Sequence, residues 1–190
     1  MSGAAEPSDE ALMARVAAQD EAAFRLLAQR HLGRIARLAE KICGSTADAD
    51  EVAQETLIRI WRSADRFDPR RAKATTWMHR ITYNLSIDRV RRPQARPLEE
   101  AASVADPAPS ALDGVARAND VRRLRAAIDR LPRRQRAAIV LFYYEEMRGE
   151  DAAEILGLSL RAFWSLLHRA RMTVQHDMDL GDAQKERIDS

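Results

Sequence analysis

The chain is predicted to be all-α: two small helical domains joined by a flexible Pro-rich linker, the second carrying a helix-turn-helix. Three observations lead there. Apolar residues recur at helical rather than alternating spacing nearly throughout. Glycine is sparse, with seven in 190 residues. Four of the seven prolines fall between Pro93 and Pro109, with Glu99, Glu100 and Asp106 among the small residues between them. Such a stretch has too little apolar surface to pack alone and reads as an extended tether. The expected boundaries are 8–92 for the first domain, 93–117 for the linker and 118–178 for the second.

Taken in order, Ser8 or Asp9 is placed to cap a first helix. Glu21–Cys43 supplies a second, with Phe24, Leu27, His31/Leu32, Ile35 and Leu38 as its inner stripe. Gly44-Ser45-Thr46 breaks it, and Thr46 or Asp48 is the expected cap of a third helix that buries Val52, Thr56, Ile60 and Ala64. Phe67-Asp68-Pro69 ends that helix, because the residue before a proline resists the helical region. A fourth runs from about Ala74 to Val90 with Trp77, Met78, Ile81 and Leu85 inward. After the prolines, helices resume near Asn119 and continue to about Gln175, followed by a frayed tail from Gly181.

Net charge is only +2 at a pI near 9.0, so charge placement matters more than its sum. Pro69–Pro97 holds eight Lys/Arg against Asp88, and Val121–Arg136 holds seven Arg against Asp129. Glu145–Glu154 reverses the sign, with five acids against Arg148. Two basic blocks beside helices favour a phosphate-backbone partner. The acidic block reads as a solvated helix face. The single cysteine, Cys43, allows neither an intramolecular disulfide nor a CxxC knuckle and is expected to pack between helices. His31, His79, His168 and His176 lack metal-ligand spacing, so no metal or cofactor is expected. No nucleophile–base pair or P-loop is visible, which argues against an enzyme. No run approaches the roughly 20 apolar residues of a membrane span, and the N-terminus lacks a signal-peptide core; a cytoplasmic chain without membrane insertion is expected.

Gly149–Arg171 reads GEDAAEILGLSLRAFWSLLHRAR. Ala153 is small where a second helix crosses, Gly157 suits a left-handed turn, and Ser159 caps the next helix. Ile155, Leu158, Phe163 and Leu167 fill the angle between the two. This is the pattern of a DNA-binding helix-turn-helix. The outward residues of its second helix include Arg161, Trp164, Ser165 and His168. Arg161 is the candidate base contact, and Arg169 and Arg171 are phosphate clamps.

Upstream, DADEVAQETLIRIWR (48–62) carries acids on one face directly before the arginine-loaded KATTWMHRITYNLSIDRVRR (73–92). With the helix-turn-helix in register behind them, these segments make the chain similar to a bacterial RNA polymerase sigma factor of the extracytoplasmic-function (ECF) type. The resemblance spans about residues 10–178. It implies a promoter-specificity subunit that binds core RNA polymerase through its beta-prime and beta subunits, engages and melts promoter DNA, and is held inactive by an anti-sigma factor. It assigns polymerase binding to Asp48, Glu51, Gln54, Glu55, Ile58 and Trp61. It assigns the minus-ten box to Lys73, Thr75, Thr76, Arg80, Tyr83, Asn84 and Arg91, and the minus-thirty-five box to the helix-turn-helix. Where the family usually has a small polar, an aliphatic and a basic residue, this chain has Ala162, Phe163 and Trp164, with Leu166 replacing a frequent arginine; Trp164 and Leu166 are therefore expected to serve a partner such as an inhibitor. The competing reading is a stand-alone helix-turn-helix regulator with a helical sensor or dimerisation domain.

Overall fold

The computed structural model describes residues 6–91 and 112–186, with side chains described for 6–91 and 119–180. The order is α1 (Asp9–Ala17), α2 (Glu21–Cys43), α3 (Thr46–Ser63), a 3-10 turn (Ala64–Arg66), α4 (Ala74–Arg91), α5 (Leu112–Arg130), α6 (Arg133–Ile139), a π-type turn (Val140–Tyr144), α7 (Gly149–Leu156) and α8 (Leu160–Glu186). The prolines from 93 to 109 lie outside the described residues. Helix α5 begins at Leu112, so the last part of the segment read as linker is helical, and α8 runs past the expected end at 178.

Caps set the starts of the first three helices. The Ser8 hydroxyl accepts from the Ala11 amide at 3.2 Å. The Asp20 carboxylate accepts from Ala22 and Ala23 at 2.9 and 3.0 Å. Gly44 closes α2 at φ 72°, a left-handed conformation that L side chains resist. The cap of α3 is Ser45, whose side chain accepts from Asp48 N, and neither Thr46 nor Asp48. The reason is geometric: Ser45 has the extended backbone of a capping residue, whereas Thr46 is already helical.

Helices α1–α4 pack around Leu12, Met13, Val16, Leu27, Ile35, Ile60 and Met78. The stripe Val52, Thr56, Ile60 and Ala64 is buried as read from the sequence. The Thr56 hydroxyl donates to the Val52 carbonyl four residues back, which satisfies it inside the core. Phe24 meets Trp61 edge to face at 5.1 Å, and Phe67 tilts onto Trp77 at 5.8 Å. Of the pair His31/Leu32, His31 is the inner residue, 2.7 Å from Asp9, while Leu32 is 44% exposed. Burial holds the His31 imidazole below its ordinary value despite the Asp9 charge.

The sequence predicts two independent units on a tether; the structure packs them directly. Leu38 and Ile42 of α2 and Tyr83 of α4 join Ile128, Leu131, Ala137, Ala138, Leu141, Ala152, Ala153 and Leu156 in one apolar cluster. Helix α4 lies against α7, and α2 against α6. Apolar surface that neither unit covers alone is thereby removed from water. Arg136 fixes the seam by donating to the Lys41 carbonyl at 3.0 Å and, within its own unit, to those of Asp129 and Leu131.

Candidate nucleic-acid and polymerase interfaces

The six residues assigned to polymerase divide on α3. Gln54, Glu55 and Ile58 are exposed and form a ridge between two grooves. One groove runs past Glu51, Leu85, Asp88 and Arg89, the other past Phe24, Leu57, Trp61 and Arg62. Trp61 is half-buried, its ring engaged with Phe24. Asp48 departs from expectation. It is 8% exposed and receives the Arg89 guanidinium at 2.8 Å, so it ties α4 to α3 instead of facing outward. The same arginine reaches Glu51 at 2.6 Å. Arg89 reads as one more arginine of a basic block in the sequence, and only the packing of α4 on α3 makes it internal.

The face assigned to minus-ten DNA also divides. Arg80, Asn84 and Arg91 are exposed along α4, and Lys73 is exposed just before it. Thr76 and Tyr83 are corrections, at 1% and 6% exposed. Tyr83 lies in the cluster shared with the second domain, and the Thr76 hydroxyl is buried without a hydrogen-bond partner among the described residues. Thr75 is half-buried, and its carbonyl accepts from His79 Nδ1 at 2.8 Å.

The helix-turn-helix takes the form its motif implies. Gly157 ends α7 at φ 61°, the Ser159 hydroxyl caps α8 by accepting from Ala162 N at 3.2 Å, and Phe163 is fully buried. Arg161, Trp164, Ser165, His168, Arg169 and Arg171 are all exposed on α8. A shallow groove runs over Leu160, Arg161, Trp164, Ser165 and His168. Trp164 is 43% exposed, yet it also packs: Phe142 and Phe163 each stand 5.3 Å from its ring centroid. A Cβ on Gly149 would lie 2.5 Å from the indole Cζ2, so the glycine makes room for the tryptophan. Leu166 is half-buried against the core and is not part of an outward apolar surface.

Sequence reading missed one buried charge. Glu145, treated as part of a solvated acidic block, is 2% exposed at its side chain. His79 Nε2, Arg34 Nε and Arg37 Nε approach it at 3.4, 3.5 and 4.0 Å. Burial works to raise the Glu145 carboxyl, but the His79 hydrogen bond and the charges of His79, Arg37 and Arg34 outweigh it and hold it below its ordinary value. Its position at the end of the π-type turn and the facing arginines come from elements over 50 residues apart, so no local pattern signals it. Among the described residues no group of His, Cys, Asp or Glu is arranged to hold a metal, and no helix is long and apolar enough to cross a membrane.

Residues 27–96 match the family model for sigma-70 region 2, and residues 121–174 match that for sigma-70 region 4. The chain is 35% identical over 181 residues to the ECF RNA polymerase sigma factor SigE of Mycolicibacterium smegmatis, covering 90% of this chain and 69% of that one. It is 34% identical over 174 residues to the ECF RNA polymerase sigma factor SigM of Mycobacterium tuberculosis, covering 89% and 84%. Among solved structures it superposes on CnrH, determined in complex with the cytosolic domain of CnrY, with TM-score 0.69 and 27% identity over 92% of this chain and 99% of that one. The fold is also that of the sigma factor RpoE from Bartonella quintana, solved with the anti-sigma factor NepR, at TM-score 0.67 and 22% identity over 82% and 96%. Two sigma-70 regions in order and these relatives over nine-tenths of its length show that the chain belongs to the ECF family of RNA polymerase sigma factors.

Proposed function

We propose that this sigma factor divides its work between faces set by α3, α4 and α8. The α3 ridge of Gln54, Glu55 and Ile58, with Glu51 and Trp61 beside it, docks on a basic surface of core RNA polymerase. Lys73, Thr75, Arg80, Asn84 and Arg91 engage the minus-ten region, and Arg161, Trp164, Ser165, His168, Arg169 and Arg171 the minus-thirty-five region. Polymerase performs the chemistry; the chain supplies promoter choice in the cytoplasm. CnrH and RpoE were solved with CnrY and NepR, which supports an anti-sigma partner for this chain as well.

The observation that carries the reading is Ile58. It is 43% exposed, flanked by Gln54 and Glu55, and bordered by grooves on both sides. The Glu55–Arg59 pair at 3.0 Å spans one helical turn and contributes only about 0.2–0.5 kcal/mol to the helix, so folding gives little reason for this composition. An apolar anchor ringed by carboxylates suits an arginine-rich partner. The test is run-off transcription with core polymerase on a pool of genomic promoter fragments, with and without the chain. A transcript dependent on the chain is expected, and its absence from a folded preparation would defeat the reading. Glu55→Lys with Ile58→Lys should weaken core binding about 10-fold or more while leaving the helical circular-dichroism signal intact.

A further inference from the structure

We propose that Trp164 is a thymine reader: its seated indole receives the C5-methyl group of a thymine in the upstream promoter box. The inference deepens the assignment of α8 to the minus-thirty-five region and rests on it. Leu160 and Arg161 stand four and three residues before Trp164, and His168 four after it, so the four side chains share one face of α8. With Ser165 they line a shallow groove. Leu160 and Trp164 put exposed apolar surface on that face, with the Arg161 guanidinium and the His168 imidazole exposed beside it.

Three features point to a base edge rather than to the phosphates. The ring is neutral, whereas phosphate binding is carried by cations. Among the groups that base pairs present in the major groove, the thymine methyl is the apolar one, and apolar side chains are its usual contacts. The ring is also held in place before any DNA arrives. Phe142 and Phe163 stand edge to face against it, each 5.3 Å away between centroids, at interplanar angles of 79° and 62°. Its Cζ2 side lies on Gly149, where a Cβ would come within 2.5 Å. A side chain fixed in this way loses little conformational freedom on binding, and it cannot swing aside to admit a different base edge. Cytosine in the same place offers an amino donor instead of the O4 acceptor, and no methyl. That donor, buried against a hydrocarbon edge, would be left unsatisfied. The seat thus turns an exposed tryptophan into a fixed methyl contact that favours thymine over cytosine.

The test uses holoenzyme assembled from core polymerase and the full chain, with a promoter recovered from the run-off pool as the duplex. Each thymine of the upstream box, on either strand, is replaced in turn by deoxyuridine, which keeps the base pairing and deletes only the methyl. Binding is followed by fluorescence anisotropy in the presence of competitor DNA. At one thymine the replacement should weaken the parent holoenzyme about fourfold, the worth of one buried methyl. Holoenzyme carrying Trp164→Ala should bind the thymine and uracil duplexes alike at that position. The uracil comparison on the parent needs no variant, so it decides the matter even if Trp164→Ala loses its helical signal. Specific binding that no uracil weakens, or a methyl effect that persists in the folded variant, would overturn the thymine contact while leaving α8 on DNA. Arg161→Ala with Arg169→Ala should lower affinity for the upstream box about fivefold or more. No loss in that folded variant would put the fault in the assignment of α8 itself, and the thymine contact would fall with it.

Discussion

Gly149→Ala is the sharpest test of how the recognition helix is held. The added Cβ would stand 2.5 Å from Trp164 Cζ2 and 3.1 Å from Cε2 and Cη2. The indole is rigid and hemmed in by the rings of Phe142 and Phe163, each at 5.3 Å, so it cannot yield as a flexible side-chain end would. Overpacking of this kind costs about 1–3 kcal/mol. Replacing glycine in a helix returns about 0.5–1 kcal/mol at an interior position, and less here because Gly149 opens α7. The net loss is about 1–2 kcal/mol, which for a domain of this size lowers Tm by about 4–16 °C. Thermal melts followed by circular dichroism and tryptophan fluorescence measure it. The double variant with Trp164→Ala should show almost none of the alanine penalty, because the obstructing ring is gone. A melt within a degree of the parent, or a penalty that persists without Trp164, would refute the claim that the indole seats on Gly149. The same change displaces Trp164 from its groove, so promoter discrimination should shift along with stability.

Other outcomes follow from the same contacts. Ser45→Ala should cost about 1 kcal/mol as a lost cap while Thr46→Ala costs less, which chemical denaturation of the two variants compares. Cys43, pushed up to about 11 chiefly by burial with the Asp48 charge adding to it, should alkylate far more slowly at pH 8 than a free thiol; labelling at the rate of a small thiol would show that the site is open. Asp48→Ala removes the 2.8 Å partner of the part-buried Arg89 guanidinium, which among the described residues keeps Glu51, and should destabilise the chain by about 1–3 kcal/mol, whereas Glu55→Ala on the exposed ridge should stay within about 0.5 kcal/mol. A ridge variant as damaging to folding as the Asp48 variant would undo the distinction between the two carboxylates.

Helix identity, the Gly44 and Gly157 breaks, the buried stripes of α2 and α3 and the helix-turn-helix were legible because each depends on residues within two or three turns. Local spacing decides which side chains share a face, and left-handed turns advertise themselves as glycine. The candidate faces were half legible for the same reason. Gln54, Glu55, Ile58, Arg80, Asn84 and Arg161 are exposed where periodicity put them. Asp48, Thr76 and Tyr83 are not, because each is covered by an element distant in sequence: Asp48 by Arg89 of α4, Tyr83 by the second domain. Trp164 and Leu166 show the same divide on α8, where the ring found its seat only through Gly149 and Phe142.

What the sequence by itself determined, then, is the helical class, the two charge-contrasted segments, the reading motif and through them the family. What only the tertiary structure decided is which charges are spent inside the molecule. The acids of Glu145–Glu154 look solvated in one dimension, since their partners Arg34, Lys73, His79 and Arg80 lie more than 60 residues upstream. Charge interacts through space, and its partner is set by packing rather than by spacing along the chain.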